Sequence, residues 1–186
     1  MIKIKSIIAV FVFLLIALFP LSVPASASHQ TGKLNYLIAT GVLCGLPEPN
    51  PCPAISMAGN GDTVELTGEG SIDLGARTAT GGGTFVHKDG DGNVLGTGDW
   101  HAMDLISFRS WGSGEEFPPN FEGGRAKLRV HLAPDSGGEG FLATLRVICT
   151  IGNVPKGAEE GIQLSVKHGP NFKEQVSGLT LFVRTE

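Results

Sequence analysis

The clearest pattern in the chain is an alternation of apolar and polar residues that begins at residue 125. From Arg125 to Leu132 every even-numbered residue is apolar and every odd-numbered residue is basic. Residues 141–150 repeat the alternation, with small or apolar side chains at odd positions 143 to 149. A period of two residues is typical of a strand that buries one face. The two segments therefore predict two neighbouring strands.

The residues between these two strands, 134–140, include one proline and three glycines and predict a turn. A hairpin that pairs residue 132 with 143 and 130 with 145 puts both apolar sets on one face, whereas a slip of one residue turns one set outward. In this register Arg129 and Arg146 lie side by side on the polar face. The pattern thus predicts a basic cluster, defined by Lys127, Arg129, His131 and Arg146.

Six further segments have strand-like patterns: residues 33–43, 63–74, 76–88, 94–108, 161–167 and 178–184. Residues 89–93 consist of Asp, Asn and Gly, which tolerate positive φ and predict a hairpin turn. About eight strands predict an all-β fold, either one antiparallel β-barrel-like domain or a β-sandwich. The chain contains 27 glycines, several of them inside predicted strands, and glycines there favour a barrel because they suit sharp bends and bulges at its corners.

The first 27 residues have the three parts of a cleaved signal peptide. Lys3 and Lys5 precede an apolar run of 13 residues that ends at Pro20, and Ala25 and Ala27 provide the small residues of a cleavage site. The alternative is a membrane anchor, but the apolar run is shorter than the roughly 20 residues that a spanning helix needs. We therefore expect residues 28–186 to be one secreted or extracytoplasmic domain without a stable membrane span.

The charge of this domain limits its partners. It has twelve basic and eighteen acidic residues, a net charge of −6, since the first 27 residues contain two lysines and no acid. A mildly acidic domain argues against a nucleic-acid partner, which favours a basic surface. It also gives no reason to expect attraction to anionic lipids.

Three cysteines, Cys44, Cys52 and Cys149, lie in the exported part, where disulfides form and persist. Cys44 and Cys52 flank a proline-rich loop, and a bond between them would clamp it. Cys149 falls on the apolar face of its strand, where a buried thiol acts as a small hydrophobic residue. The favoured pairing is Cys44 with Cys52, and the alternatives are a bond from Cys149 to either of them and no bond at all.

Motifs for catalysis, cofactors and metals are weak. Residues 89–93 match the opening of a calcium loop, but the twelfth position holds Trp100 instead of Glu, so a turn is favoured. No two histidines have a metal-ligand spacing, although a hairpin would carry His87 and His101 on its two strands. The sequence contains no G-x-S-x-G motif, and no Lys-Ser/Thr follows Gly81–Gly83 as a phosphate loop requires. No catalytic residue, cofactor or metal is predicted.

The basic cluster of Lys127, Arg129, His131 and Arg146 is the candidate site nearest to a function. If this face only contacts solvent, such residues are ordinary. If the sheet closes, these side chains line a mouth or groove and hold a small anionic ligand, because arginine suits carboxylate and phosphate groups. The leading hypothesis is a non-enzymatic secreted or envelope-associated domain that binds a ligand or a cell-surface component. The alternatives are a secreted enzyme whose acid–base residues converge only in the fold, and a structural matrix or surface protein.

Overall fold

The computed structural model describes residues 31–185, which form one ten-stranded antiparallel sheet and a short 3-10 helix, Gly41–Gly45. The all-β prediction is therefore confirmed. The predicted signal peptide, residues 1–27, lies outside the described residues. Within residues 31–185 no helix has the length and apolar character needed to cross a membrane. The strands are β1 Lys33–Ile38, β2 Ala54–Ala58, β3 Thr63–Asp73, β4 Thr78–Lys88, β5 Val94–Gly112, β6 Phe121–Pro134, β7 Phe141–Cys149, β8 Gly161–Val166, β9 Asn171–Ser177 and β10 Thr180–Arg184.

Eight of these strands, β2 to β9, close into a barrel-like ring in which each strand pairs with the next and β9 pairs back with β2. The ring does not surround an axis evenly. Strands β1 and β10 pair with each other and with the far ends of β3 and β6. The long strands β3 to β6 thus extend beyond the ring. There β1 pairs with β3 and β10 pairs with β6, so the two short strands connect β3 to β6 a second time.

The hairpin of β6 and β7 keeps the predicted face but not the predicted register. Residue 132 pairs with 141 and 130 with 143, two residues away from the expected pairs. Because a shift of two preserves the alternation, the apolar residues of both strands stay on the buried face. The correction changes the polar face, where Arg146 lies opposite Lys127 and Arg129 lies opposite Thr144.

All eight predicted segments contain a strand, and two strands were missed. β2 was missed because its inward side chains are Ala54, Ser56 and Ala58, which are too small to mark an apolar face. β9 buries only Phe172. The first predicted segment, 33–43, is too long, because Ala39 has a φ of 43° and the 3-10 helix follows.

Glycines inside β3 and β4 make room for two buried aromatic rings. A Cβ at Gly70 would lie 2.5 Å from Tyr36 Oη, and a Cβ at Gly68 would lie 2.6 Å from Trp100 Cζ2. The two rings are buried, and each polar atom has a partner: Tyr36 Oη donates to the Thr80 carbonyl and Trp100 Nε1 to that of Thr67, both at 2.9 Å. These glycines therefore allow aromatic rings to approach the strands closely, whereas the sequence had suggested that they form bends and bulges.

The predicted disulfide between Cys44 and Cys52 is confirmed, with the two Cα atoms 5.4 Å apart. It joins the end of the 3-10 helix to the segment just before β2. Cys149 is a buried free thiol, as the favoured hypothesis requires. Burial, and then the nearby carboxyl group of Glu160, raise the pKa of this thiol to about 12, so it stays protonated and unreactive at neutral pH.

Candidate ligand-binding site

One end of the ring contains a cavity of about 1060 Å³, which we call the end cavity. Its wall is built from the start of β3, β5, β7 and β9 and from the end of β4, β6 and β8. The turns after β6 and after β8 complete the rim. Because neighbouring strands in the ring are antiparallel, one strand starts at this end of the ring and the next one ends there.

The floor of the end cavity is apolar. It consists of inward-facing side chains from five different strands, each less than one-tenth exposed: Val64, Phe85, Leu132, Leu164 and Phe172. These side chains belong to the main hydrophobic core, so the core itself forms the base of the cavity. A pocket with an apolar lining on a rigid sheet is the usual form of a small-molecule site.

The rim of the end cavity is also partly apolar, and there the side chains reach solvent. Leu95 is 57% exposed, Phe141 52% and Leu142 40%. All three are large apolar residues that line the cavity. Grouped exposure of this kind marks a binding surface more often than isolated exposed side chains do.

His87 provides a fixed polar group in the apolar wall. Its Nε2 lies 3.3 Å from Asp62 Oδ2, and its ring packs edge-on against Phe172 with ring centroids 5.4 Å apart. Lys167, His168 and Glu139 also line the cavity. The site therefore combines an apolar base with a few polar groups that can orient a ligand.

The predicted basic cluster lies on the outside of the ring and not in its mouth. From residue 124 onwards the buried residues of β6 are the even-numbered ones, so Lys127, Arg129 and His131 point outward, as does Arg146 on β7. None of the four lines the end cavity. The prediction that closure of the sheet would place these four side chains in a mouth or groove is therefore wrong. They occupy the strand positions that alternate with the buried ones, so they face away from the interior of the ring.

Three of these four side chains have partners within the protein. Arg129 Nη1 lies 3.4 Å from Asp104 Oδ2, and Arg146 Nη1 donates to Gln163 Oε1 at 2.8 Å. His131 Nε2 lies 2.8 Å from the backbone oxygen of Glu139. The cluster shares one face, as predicted, and its role in binding an anion stays a prediction.

The calcium-like segment is a hairpin turn that binds its own backbone. The Asp89 carboxylate accepts hydrogen bonds from the backbone N–H groups of Asp91 and Asn93 and from the Asn93 side chain. The hydrogen bonds from Asn93 lower the pKa of Asp89. His87 lies opposite Gly96 and His101 opposite Gly82, so the two histidines are not brought together. Residues 31–185 contain no group of three His, Cys, Asp or Glu side chains suited to a metal ion.

Glu160 is a half-buried acidic residue that no sequence pattern predicted. Its Oε2 accepts hydrogen bonds from Thr150 N (2.6 Å) and Thr150 Oγ1 (2.9 Å), and its Oε1 lies 2.7 Å from Thr180 N. The side chain thus joins the end of β7 to the starts of β8 and β10. No local pattern identifies it, because its partners lie 10 and 20 residues away in the sequence.

The fold and the end cavity define a β-barrel-like protein with an apolar pocket at one end. The chain matches no protein-family model, no curated protein and no solved structure.

Proposed function

We propose that the protein is a non-enzymatic binder of a small amphipathic molecule, held in the end cavity. The observation that supports this function most directly is a cavity of about 1060 Å³ with an apolar floor that opens through a partly apolar rim. Its volume is at the upper end of the roughly 300–1,000 Å³ typical of small-molecule sites. We further propose that the protein acts outside the cytoplasm, which its disulfide supports.

The arrangement of polar groups favours a ligand with an apolar body and one polar end. The apolar body would cover the floor, where burial of each Å² contributes roughly 25 cal/mol. The polar end would remain near Lys167 and His168, which are exposed at the rim. Exposed charges of this kind orient a ligand more than they tighten its binding.

A binding function accounts for the polar side chains of the cavity better than catalysis does. Among the described residues that line it, no titratable side chain hydrogen-bonds another, so the lining contains no hydrogen-bonded pair of nucleophile and base. His87 has a carboxylate partner, but Asp62 is not part of the lining. The cavity therefore supports a binder more strongly than an enzyme.

Gly96 offers a way to fill the cavity without disturbing the sheet. It lines the cavity on β5, at the same parity as the buried residues Gly98 and Trp100, and a Cβ there would meet no atom within 4 Å. We expect Gly96→Trp to fold normally and to occupy ligand space. Gly59 is the matched control, because its Cβ would also meet nothing within 4 Å and it does not line the cavity.

The test is calorimetric titration with N-phenyl-1-naphthylamine, a small neutral apolar probe. The natural chain and Gly59→Trp should bind one equivalent with a negative heat-capacity change, the sign of buried apolar surface. Gly96→Trp should bind about tenfold more weakly or not at all, a loss of about 1.4 kcal/mol or more. Binding of equal strength in all three proteins, or no binding by the natural chain, would contradict the proposal.

A further inference from the structure

The outer surface of β5, β6 and β7 contains four cations that face one another across strands. Arg109 lies opposite Arg125 in the β5–β6 ladder, and Lys127 lies opposite Arg146 in the β6–β7 ladder. Directly opposite residues of an antiparallel pair point to the same side of the sheet. We call these four residues the cation row. Arg109 and Arg125 are exposed, and the other two are half-buried.

The cation row has little internal compensation. Like charges directly opposite each other destabilise a sheet. None of the ion pairs among residues 31–185 includes Arg109, Arg125 or Lys127, and Arg146 donates to the neutral amide of Gln163. The chain as a whole has more acidic than basic residues, with a net charge of −4. Two repulsive pairs on one face of an acidic protein therefore indicate an anion that comes from outside.

The geometry of the cation row fits a chain of anionic groups. Neighbouring strands are about 4.8 Å apart and residues two positions apart on a strand about 6.8 Å, so successive cations of the row are anchored about 5 to 7 Å from each other. Uncharged hydrogen-bonding side chains adjoin the cations: Ser107 lies opposite Lys127, and Gln163 lies opposite Arg146. Hydroxyl and amide groups beside the cations are suited to the hydroxyl groups of a charged polymer.

From these observations we infer that the cation row binds a linear acidic polysaccharide, with its carboxylate or sulfate groups at the four cations. This surface is separate from the end cavity, because the cation row lies on the outer face of the ring and none of its members lines the cavity. The inference therefore does not depend on the proposed function.

The test compares binding to immobilised polygalacturonate, dextran sulfate and neutral dextran. We expect the natural chain to bind at least one of the two charged polysaccharides, more weakly as salt rises, and to leave neutral dextran unbound. Binding to neither charged polymer would overturn the proposal. Tighter binding to duplex DNA or to vesicles of anionic phospholipid would overturn it as well, since the surface would then serve another class of partner.

Lys127→Glu and Lys156→Glu separate the cation row from the effect of net charge. Both variants change the charge of the protein equally, but Lys156 lies in the exposed connection between β7 and β8. Lys127→Glu should weaken binding about tenfold or more, and it should raise the melting temperature of the free protein because an attractive pair with Arg146 replaces a repulsive one. Lys156→Glu should bind within about twofold of the natural chain. Equal losses in the two variants, or no loss in Lys127→Glu, would refute the cation row as the site.

Discussion

At the scale of single residues, the half-buried carboxyl group of Glu160 has an environment that favours its protonated form. The Thr180 hydroxyl lies 2.7 Å from the Ile148 carbonyl and 2.9 Å from Glu160 Oε1. A hydroxyl has one proton and a carbonyl only accepts, so the Thr180 hydroxyl either shares its proton between the two oxygens or accepts a hydrogen bond from a protonated Glu160 carboxyl group. Burial raises the pKa of Glu160, and this outweighs the hydrogen bonds from Thr150 and Thr180 that lower it.

The raised pKa of Glu160 predicts a pH-dependent contribution to stability. Unfolded Glu titrates near pH 4.3. Between that value and the higher pKa of the folded state, the folded protein binds more protons than the unfolded chain, so the contribution of Glu160 to the free energy of unfolding falls as pH rises. In Glu160→Gln this part of the dependence should disappear. The variant should also lose about 1 to 3 kcal/mol, because the NH2 group of Gln cannot accept and one of the two backbone N–H groups, of Thr150 or Thr180, loses its acceptor.

The measurement is urea denaturation at pH 5 and pH 7.5. The free energy of unfolding of the natural chain should decrease more between the two values than that of Glu160→Gln. Glu48→Gln is the control, since Glu48 is exposed in the disulfide loop. If Glu160→Gln retains the pH dependence of the natural chain, Glu160 titrates alike in the folded and unfolded states and our interpretation is wrong.

At the scale of elements, the segment between β1 and β2 has no strand pairing, and the disulfide constrains it instead. This segment contains only the 3-10 helix and a proline-rich loop before β2 begins at Ala54. The cysteines are 8 residues apart in the sequence, and the chain-entropy argument gives a loop of this size a stabilisation of about 2 to 3 kcal/mol. Without the bond, the loop would be free to move away from the starting end of β2.

Replacing both cysteines, as Cys44→Ser with Cys52→Ser, should therefore lower the free energy of unfolding by about 2 to 3 kcal/mol. Urea denaturation without reductant measures the loss. Treating the natural chain with reductant should lower its stability to that of the double variant. A reductant effect that persists in the double variant would point to Cys149 and count against this account.

The elements also show what alternation along a sequence can and cannot determine. Alternation located β6 and β7 and their buried faces, because the apolar side chains there are large. It did not determine their register, because pairings that differ by two residues have the same parity. It missed β2 and β9, whose places in the ring follow from their partners and not from their own side chains. The end cavity lay beyond prediction for the same reason, since seven strands meet there.

At the scale of the whole molecule, β9 is the least regularly held strand of the ring. Its ladder with β2 has register shifts at Ile55/Ser56 and at Met57/Ala58, and only residues 171 and 172 pair with β8. By contrast, β3 and β4 pair without a shift from Thr63–Lys88 to Asp73–Thr78. β9 also contributes Phe172 to the floor of the end cavity. Opening of the ring at β9 would therefore expose the cavity.

The last prediction follows from this position of β9. Local opening requires the least free energy where regular hydrogen bonds are fewest, so the amide hydrogens of residues 171–177 should exchange faster than those of 78–88. If the end cavity binds N-phenyl-1-naphthylamine as proposed, probe at one hundred times its Kd stabilises the closed form by about 2.7 kcal/mol and should slow exchange at 171–177 by about a hundredfold. Hydrogen exchange followed by mass spectrometry measures both segments, and at the same probe concentration Gly96→Trp should gain about tenfold less protection or none. Equal exchange in the two segments without probe would show that the ring opens elsewhere, and unchanged exchange at 171–177 with bound probe would contradict a ligand held against β9 in the end cavity.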